Sequence, residues 1–426
     1  MLPVGGAVLV IFARDGWVNR LLSLRPVVFV GLISYSWYLW HWPLLSFALI
    51  TSGTKLPKTV GAMIAITSFG CAVLSYQFIE RPFRRSTIPI PSLFRRYALA
   101  ASIMLAIPIS FLILRGLPQR YPREARMEAG LGGYFTGNPC LAGDAVRAPS
   151  VMPACVPPGG GLAISLIGDS HAGAIAPSFR QIAARNHLRF IEMDKEDCPP
   201  LKGVTHVAPY APKLAKDCAI FNNKRFDYIA MHAEIRAVIL SAFGAKPLRH
   251  WQRGERYVAN GRDGQRMSEA ESWQQLEQGL NATVALLQAE GKDVYLLQDS
   301  PNFSFDPLQR TRTQTIGPRR IMAQLIESPV VKDAEGRSPP EILPADAQAR
   351  AAALSAAARN PGVVVFDLTR SLCSGDNCEY EKDGAILFVD NGHLDKRSAD
   401  LALQGFELQP FSQQSPARSH NSASSQ

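Results

Sequence analysis

The chain has 426 residues, of which 47% are hydrophobic and 19% are charged, and its formal net charge is +9. This length and apolar content can bury a core in roughly two or three domains, which excludes disorder of the whole chain. Residues 1–120 carry a net charge of +10, whereas residues 121–426 carry a net charge of −1. Because the positive charge lies in the most apolar part of the chain, it argues against a nucleic-acid-binding protein and favours a membrane.

Four apolar stretches occupy the first 114 residues. Leu2–Ala13 is shorter than a complete membrane span and is interpreted as a truncated one. Val27–Ile50, Thr59–Ile79 and Tyr97–Leu114 have 24, 21 and 18 residues. Because a membrane-crossing helix needs about 20 predominantly apolar residues, the sequence predicts an α-helical transmembrane bundle over residues 1–114. The alternative is that these stretches are buried helices of a soluble protein.

The connection between the third and fourth stretches predicts the orientation of the bundle. It contains five basic residues: Arg81, Arg84, Arg85, Arg95 and Arg96. Basic loops stay in the cytoplasm, so alternation of the spans sends the chain after Leu114 to the other side of the membrane.

The chain after residue 114 divides into three parts. Residues 115–161 are rich in proline and glycine and are interpreted as a linker, and residues 409–426 are rich in serine and glutamine and are predicted to be disordered. Residues 162–408 alternate strands with helices, which indicates an α/β domain with a mostly parallel sheet flanked by helices. The predicted strands are Leu162–Ile167, Phe190–Met193, Tyr228–Met231, Asp293–Gln298 and Val363–Phe366. The predicted helices are Ala172–Asn186, Ser268–Gly291 and Ala345–Arg359.

Six of the seven cysteines lie in the region predicted to be outside the cytoplasm, and Cys71 lies in a predicted span. Their order along the chain suggests three local pairs: Cys140–Cys155, Cys198–Cys218 and Cys373–Cys378. An even number of locally paired cysteines fits an oxidising compartment such as the periplasm. The alternative is a metal site, although no Cys-x-x-Cys or His-x-x-His spacing supports one.

Two segments contain residues suited to nucleophilic catalysis. Leu166–His171 ends a predicted strand and leads into a helix, which exposes Ser170 at the carboxyl edge of the sheet. The second segment contains Asp390 and His393 in an Asp-x-x-His spacing. A serine hydroxyl needs a base, which a histidine supplies while a carboxylate fixes the tautomer of that histidine. We therefore expect these three side chains to meet, although Asp-Ser before a helix is also a common structural cap.

The order Gly-Asp-Ser at 168–170 followed by Asp-x-x-His at 390–393 resembles the SGNH (GDSL-like) hydrolase family. That family acylates and deacylates hydroxyl groups through a serine ester. The resemblance implies that Ser170 is the nucleophile, His393 the general base and Asp390 the residue that orients His393.

Members of the same family use a glycine and an asparagine from middle loops in the oxyanion hole, and this sequence matches that pattern poorly. The expected middle strand, Asp227–Ala233, contains no glycine, and Asn302 is the only asparagine close to the end of the next strand. The side chains of the oxyanion hole therefore stay unassigned.

Two segments of the predicted membrane part resemble the last spans of the acyltransferase-3 membrane family. They are Ile33–Leu44, which reads ISYSWYLWHWPL, and Phe78–Arg85, which reads FIERPFRR. Fusions of that membrane module to an outward SGNH domain modify bacterial surface polysaccharides, usually by O-acetylation. The resemblance implies acetyl-CoA as the ultimate donor, delivered through the membrane module, with no cofactor or metal bound by the SGNH domain.

Members of the membrane family have about ten spans, whereas this sequence carries only the closing ones, so it is interpreted as a C-terminal fragment, a split gene product or a sequence with a wrongly assigned start. For a split gene product, the missing spans would come from another chain. The leading prediction is an O-acyltransferase anchored in the bacterial inner membrane, with its SGNH domain in the periplasm. Its acceptor would be a surface glycan such as a lipopolysaccharide O-antigen, and no nucleic acid would bind. The alternatives are a tethered glycan O-acetylesterase and a catalytically incomplete scaffold.

Several smaller features have two interpretations each. His171 could shape the pocket or lie on the surface, and His232 and Glu234 could line the site or be partly buried for structural reasons. Five arginines cluster around two aromatic residues: Arg249, Arg253, Arg256, Arg262 and Arg266 around Trp251 and Tyr257. They could meet an anionic glycan or form a solvated loop.

Overall fold

The computed structural model groups the chain into two compact units. One contains the helices up to residue 114 together with residues 312–326, and the other contains the described residues from 137 to 311 and from 337 to 411. The structure describes residues 2–13, 16–52, 56–84, 90–114, 137–143, 145–241, 251–262, 267–303, 305–326, 337–338, 344–374, 377–383 and 385–411.

The first unit is helical, and its three longest helices coincide with the predicted spans. Among the described residues, one helix, Lys58–Glu80, is long and apolar enough to cross a membrane, and Ala98–Ile113 is apolar but shorter. The helix that begins at Arg25 contains tryptophan, tyrosine, histidine and serine, which lower its mean hydropathy. A transmembrane bundle therefore stays a prediction. The helices are α1 Leu2–Phe12, α2 Trp17–Leu22, α3 Arg25–Ser52, α4 Lys58–Ser75 with the π-helical turn Tyr76–Glu80, α5 Arg81–Arg84 and α6 Ile90–Ile113.

Polar side chains connect α3 to α4 and to the turn that follows it. The hydroxyl of Ser36 donates a hydrogen bond to the carboxylate of Glu80. The indole nitrogen of Trp37 donates to the hydroxyl of Ser68 at 3.0 Å. Ser36 and Glu80 belong to the two segments that resemble acyltransferase-3 spans, so those two segments contact each other.

A six-stranded parallel sheet forms the centre of the second unit, and its strands lie side by side in the order Leu141–Ala142, Arg189–Lys195, Ala163–Gly168, Ile235–Leu240, Asp293–Gln298 and Val364–Asp367. All six residues of its second strand, Ala163–Gly168, are buried, which explains why this strand reads as a continuous apolar run. The sheet strands are β1 Leu141–Ala142, β2 Ala163–Gly168, β3 Arg189–Lys195, β5 Ile235–Leu240, β7 Asp293–Gln298 and β9 Val364–Asp367. Smaller ladders contain β4 Val204–Val207, β6 Arg256–Ala259, β8 Arg337–Ser338, β10 Cys373–Ser374, β11 Asn377–Glu379, β12 Glu381–Lys382 and β13 Ala385–Ile386.

Helices cover the sheet and bury two apolar clusters. One cluster includes Phe179, Phe190 and Phe388, and the other includes Ile229 and Leu280. The helices are α7 Ser170–Arg185, α8 Leu214–Met231, α9 Glu269–Ala289, α12 Pro344–Arg359 and α13 Lys396–Ala402, with α10 Pro307–Thr315 and α11 Gly317–Leu325 between β7 and α12. The α/β architecture predicted from the sequence is thereby confirmed.

One predicted strand is wrong. Tyr228–Met231 ends the helix α8, and the strand lies at Ile235–Leu240 instead. In α8 the buried residues Phe226 and Ile229 belong to a helical face, and the short window from Tyr228 to Met231 does not show this period. His232 and Glu234 consequently lie in the turn before β5.

The predicted linker is shorter than expected. Leu141–Ala142 pairs in parallel with the end of β3, so the α/β unit includes part of residues 115–161. Residues 115–136 of that linker and residues 412–426 of the predicted tail lie outside the described residues. All three predicted disulfides are confirmed: Cys140–Cys155, Cys198–Cys218 and Cys373–Cys378.

Candidate active site

Ser170 is the first residue of α7 and follows the carboxyl end of β2 by two residues. Between them, the carboxylate of Asp169 caps the helix by accepting the backbone N–H of His171 at 2.8 Å. The turn is tight because a Cβ at Gly168 would lie 2.4 Å from the Cβ of Ala172 and 2.5 Å from the carbonyl oxygen of Ser241. Glycine is therefore required where the strand passes into the helix.

The three side chains predicted to be catalytic form one hydrogen-bonded chain. The hydroxyl of Ser170 lies 2.8 Å from Nε2 of His393, and Nδ1 of His393 lies 2.7 Å from Oδ2 of Asp390. The second carboxylate oxygen of Asp390 accepts the backbone N–H groups of Gly392 and His393 at 2.9 and 2.8 Å. In this arrangement Nδ1–H of His393 donates to Asp390, which leaves Nε2 to accept the proton of Ser170.

Burial acts to raise the pKa of Asp390, but other interactions offset it. The hydrogen bond from the side chain of His393, the charge of that ring, and the backbone N–H groups of His393 and Gly392 all lower the pKa. The result is a pKa well below the usual range of an aspartate. Asp390 is therefore ionised at neutral pH and can stabilise a protonated His393.

A second histidine–carboxylate pair lies beside the catalytic histidine. Nδ1 of His171 lies 3.0 Å from Oδ1 of Asp299, and the rings of His171 and His393 have centroids 4.2 Å apart. His171 therefore belongs to the site and not to an outer surface. Asp299 was not predicted from the sequence, although its place directly after β7, at the carboxyl edge of a parallel sheet, is a signal that could have indicated it.

Two hydrogen bonds join the loop after β7 to the loop that carries His393. The hydroxyl of Ser300 donates to the carbonyl oxygen of Gly392 at 2.8 Å, and the backbone N–H of Phe303 donates to the carbonyl oxygen of Asn391 at 2.9 Å. Asn302 lies in this loop, but its amide nitrogen donates to the carbonyl oxygen of Ser300 at 3.2 Å. Its amide oxygen faces the loop that carries His393, because a Cβ at Gly392 would lie 2.5 Å from Oδ1 of Asn302.

A fully buried arginine, Arg225, stabilises the turn between β2 and α7 that carries Ser170. Nη1 of Arg225 donates to the carbonyl oxygens of Gly168 and Met193, at 3.3 and 3.2 Å. Burial lowers the pKa of Arg225 to about 9, against the opposing charges of Asp194 and Asp169. Burial and the charge of nearby Glu192 raise the pKa of Asp194 well above its usual range. Because Arg225 joins the ends of β2 and β3, it fixes the edge from which Ser170 projects.

His232 and Glu234 are not part of this site. Nδ1 of His232 lies 2.7 Å from the carbonyl oxygen of Tyr228, and its ring stacks on the ring of Tyr228. Glu234 forms an ion pair with Arg189 at 3.2 Å. Both precede β5 at the amino edge of the sheet, opposite to the carboxyl edge that carries Ser170. Across the described residues, no group of three or more His, Cys, Asp or Glu side chains is placed to hold a metal ion.

This fold and triad define an SGNH-type α/β domain, and comparison with known families agrees. The model of the family described as the SGNH domain fused to AT3 domains matches residues 139–406. The chain belongs to that family.

Curated relatives match a smaller part of the chain. A protein of Staphylococcus aureus strain COL named as an O-acetyltransferase, SACOL0978, is 34% identical over 118 residues, which cover 25% of this chain and 19% of that protein. The O-acetyltransferase OatA of S. aureus strain MRSA252 is 29% identical over 103 residues, which cover 23% of this chain and 17% of OatA. The chain therefore spans about a fifth of the length of these relatives.

Solved structures also match the chain, at low sequence identity. The periplasmic domain of a lipopolysaccharide acetyltransferase from Salmonella ser. Paratyphi A has a TM-score of 0.40 and 16% identity, and the match covers 66% of this chain and 92% of that domain. An acylhydrolase from Bacteroides fragilis NCTC 9343 has a TM-score of 0.29 and 15% identity, with 57% and 85% covered.

Proposed function

We propose that the chain acts in a membrane-anchored O-acyltransferase of the bacterial inner membrane, in which the SGNH domain lies in the periplasm and acetylates hydroxyls of a cell-surface polysaccharide. The observation that carries this proposal is the hydrogen-bonded chain from Ser170 through His393 to Asp390. Membership of a family fused to AT3 domains and relatives named O-acetyltransferase support acyl transfer.

The first half of the reaction forms a serine ester. Nε2 of His393 takes the hydroxyl proton while Oγ of Ser170 attacks the carbonyl carbon of the acyl donor. The negative charge on the carbonyl oxygen faces the start of α7, where the backbone N–H of Ser170 has no partner within the helix and can donate to it. The bond to the leaving group then breaks, and protonated His393 returns its proton to that group.

The second half transfers the acyl group to the acceptor. A sugar hydroxyl enters, His393 takes its proton, and the hydroxyl oxygen attacks the ester carbon on Ser170. The ester bond breaks, and His393 gives the proton back to Oγ of Ser170, which restores the enzyme. Ionised Asp390 stabilises the protonated ring in both halves. Water can replace the sugar, so slow ester hydrolysis accompanies transfer.

The membrane assignment depends on different observations. Lys58–Glu80 is a candidate span, and the arginines from 81 to 96 put the connection after it in the cytoplasm. In this arrangement acetyl-CoA is the ultimate donor, and the membrane module passes the acetyl group outward. Three disulfides in the α/β unit suit an oxidising periplasm.

The test of the nucleophile uses the full chain, purified from bacterial membranes in detergent, and hydrolysis of 4-nitrophenyl acetate. We expect Ser170→Ala to lower turnover by about 10³-fold or more, because the acyl-enzyme cannot form. The matched control is Ser165→Ala, which removes a buried hydroxyl with no hydrogen bond from the preceding strand. Unchanged turnover in Ser170→Ala would contradict the proposal.

Product analysis separates transfer from hydrolysis. The same preparation is given 4-nitrophenyl acetate and a surface glycan, and the glycan is examined by mass spectrometry. Acetylated glycan that depends on Ser170 supports the transferase, whereas release of free acetate alone supports the tethered esterase.

A further inference from the structure

A groove lies outside the triad, along the antiparallel pair β4–β6 and the first two turns of α8. Its volume is about 1000 Å³. We call it the basic groove, and its lining includes Pro209, Pro212, Lys216, Ile220, Arg256 and Arg262. Two of the five clustered arginines noted in the sequence therefore line a cavity.

The charged residues that line the basic groove are all positive. Among the described residues, Lys216, Arg256 and Arg262 contribute three cationic groups to the lining, and no carboxylate from that part of the chain lines it. Within the described residues, Lys216 and Arg262 form no ion pair. The other described lining residues are prolines, alanines, glycines, a valine and an isoleucine, and they form an apolar floor. A ligand that fits this groove carries anionic groups for the cationic side chains and less polar faces for the apolar floor. A chain of acidic sugar rings has both.

The wall of the groove is held in place by buried contacts. Nε2 of His206 on β4 lies 3.1 Å from the carboxylate of Glu255, and both side chains are 2% exposed. Gly254 has a φ of +86°, and a Cβ there would lie 2.8 Å from Cγ of Pro209. The wall therefore requires glycine both for its backbone conformation and for its close approach to Pro209.

The basic groove lies towards the carboxyl edge of the sheet, which is the edge that carries Ser170. The hydroxyl of Tyr210 donates to the carboxylate of Asp197, which follows the carboxyl end of β3 by two residues. Along α8, Ile220 precedes Arg225 by five residues, or about 7.5 Å of helix. Since Arg225 contacts the carbonyl oxygen of Gly168, α8 runs from the groove to the turn that carries Ser170.

We infer that the basic groove binds a carboxylate-bearing segment of the acceptor polysaccharide, so that a hydroxyl further along the same glycan reaches Ser170. This inference rests on the proposed function and adds the substrate class, an acidic glycan. Lys216 and Arg262 donate to the sugar carboxylates, and the apolar floor contacts the faces of the sugar rings.

The test measures binding of two oligosaccharides of equal length to the full chain in detergent by isothermal titration calorimetry. Tetragalacturonic acid carries carboxylates, and maltotetraose carries none. We expect the acidic probe to bind and the neutral probe to bind at least tenfold more weakly. The double variant Lys216→Gln/Arg262→Gln should weaken binding of the acidic probe about tenfold or more, because two charge-assisted contacts are lost.

The matched control also removes two positive charges, one from α8 and one from a residue close to β6. Lys224 is exposed on α8, and Arg253 is exposed just before β6, and neither lines the groove. Lys224→Gln/Arg253→Gln should bind the acidic probe as the wild type does. A groove variant that binds as tightly as the wild type would overturn the inference. Equal binding of the two probes, or binding of phosphatidylglycerol vesicles without binding of the acidic probe, would also overturn it.

The inference and the proposed function fail in different ways. Ser170→Ala should bind the acidic probe with wild-type affinity, because the groove does not include the nucleophile. A wild-type chain that hydrolyses 4-nitrophenyl acetate without binding the probe overturns the inference alone. A chain that binds the probe, but whose hydrolysis is unchanged by Ser170→Ala, overturns the proposed function alone.

Discussion

At the scale of single residues, the catalytic carboxylate is organised by its own short loop. Asp390 accepts hydrogen bonds from Gly392 and from both the backbone and the ring of His393, all within four positions. This local arrangement is why the Asp-x-x-His spacing could be read from the sequence. The pairing of His171 with Asp299 is different, because it joins residues 128 positions apart and depends on the arrangement of the strands.

Asp390 makes the stability of the fold depend on pH. Its pKa is lowered in the folded state, so its stabilising contribution is present above the pKa of the unfolded chain, near 3.9, and is lost as the pH falls below that value. We expect the difference in unfolding free energy between the wild type and Asp390→Asn to be constant above about pH 5 and to shrink below about pH 4. Denaturant unfolding between pH 7 and pH 3 measures it.

The control for that experiment is Asp227→Asn, which removes an exposed carboxylate from α8. A difference between Asp390→Asn and the wild type that grows as the pH falls would show that the assigned direction of the pKa shift is wrong.

At the scale of elements, long periodic segments were predictable and short ones were not. The sustained apolar face of α9 predicts this helix to within two residues of its ends, and the structure adds a capping box between Ser268 and Glu271. Tyr228–Met231 is four residues long, and such a window fits a strand as well as the end of a helix. The two-residue β1 carries no signal of its own, because it is defined only by its pairing with β3.

Gly168 is the last residue of β2, and the turn into α7 leaves no room for a side chain there. We expect Gly168→Ala to lower the free energy of unfolding by about 1–3 kcal/mol, because the new Cβ meets Ala172 and the backbone of Ser241. Ester hydrolysis should also fall, since the turn carries Ser170. Denaturant unfolding and turnover are measured on the same preparation.

Gly160→Ala is the control for this change, because a Cβ at Gly160 would meet no atom within 4 Å. If Gly168→Ala were as stable as Gly160→Ala, the tight turn between β2 and α7 would not exist in solution.

At the scale of the whole molecule, the net positive charge and the disulfides lie in different parts of the chain. The positive excess lies in residues 1–120, and all three disulfides lie in the α/β unit. The helix α11 belongs to the helical unit, where it packs against α3. This could not be predicted, because its nine residues follow α10 without any change in composition that marks a boundary.

The orientation of the chain can be measured with reporter fusions in bacteria. Alkaline phosphatase needs disulfides and is active only outside the cytoplasm. Fused after Phe411 it should be active, and fused after Arg84, in the connection predicted to be cytoplasmic, it should be inactive. The reverse result would place Ser170 in the cytoplasm and remove the membrane part of the proposal.

The separation of Ser170 and His393 along the chain also affects biosynthesis. The two residues are 223 positions apart, and α13, which follows His393, is joined to α7 by a hydrogen bond from Ser178 to Asp400. Contacts between such distant segments form late, because a long loop must close first. A ribosome-bound chain that has not yet released residue 393 therefore carries a serine without its base. Such a nascent chain is chemically silent until nearly the whole domain has emerged.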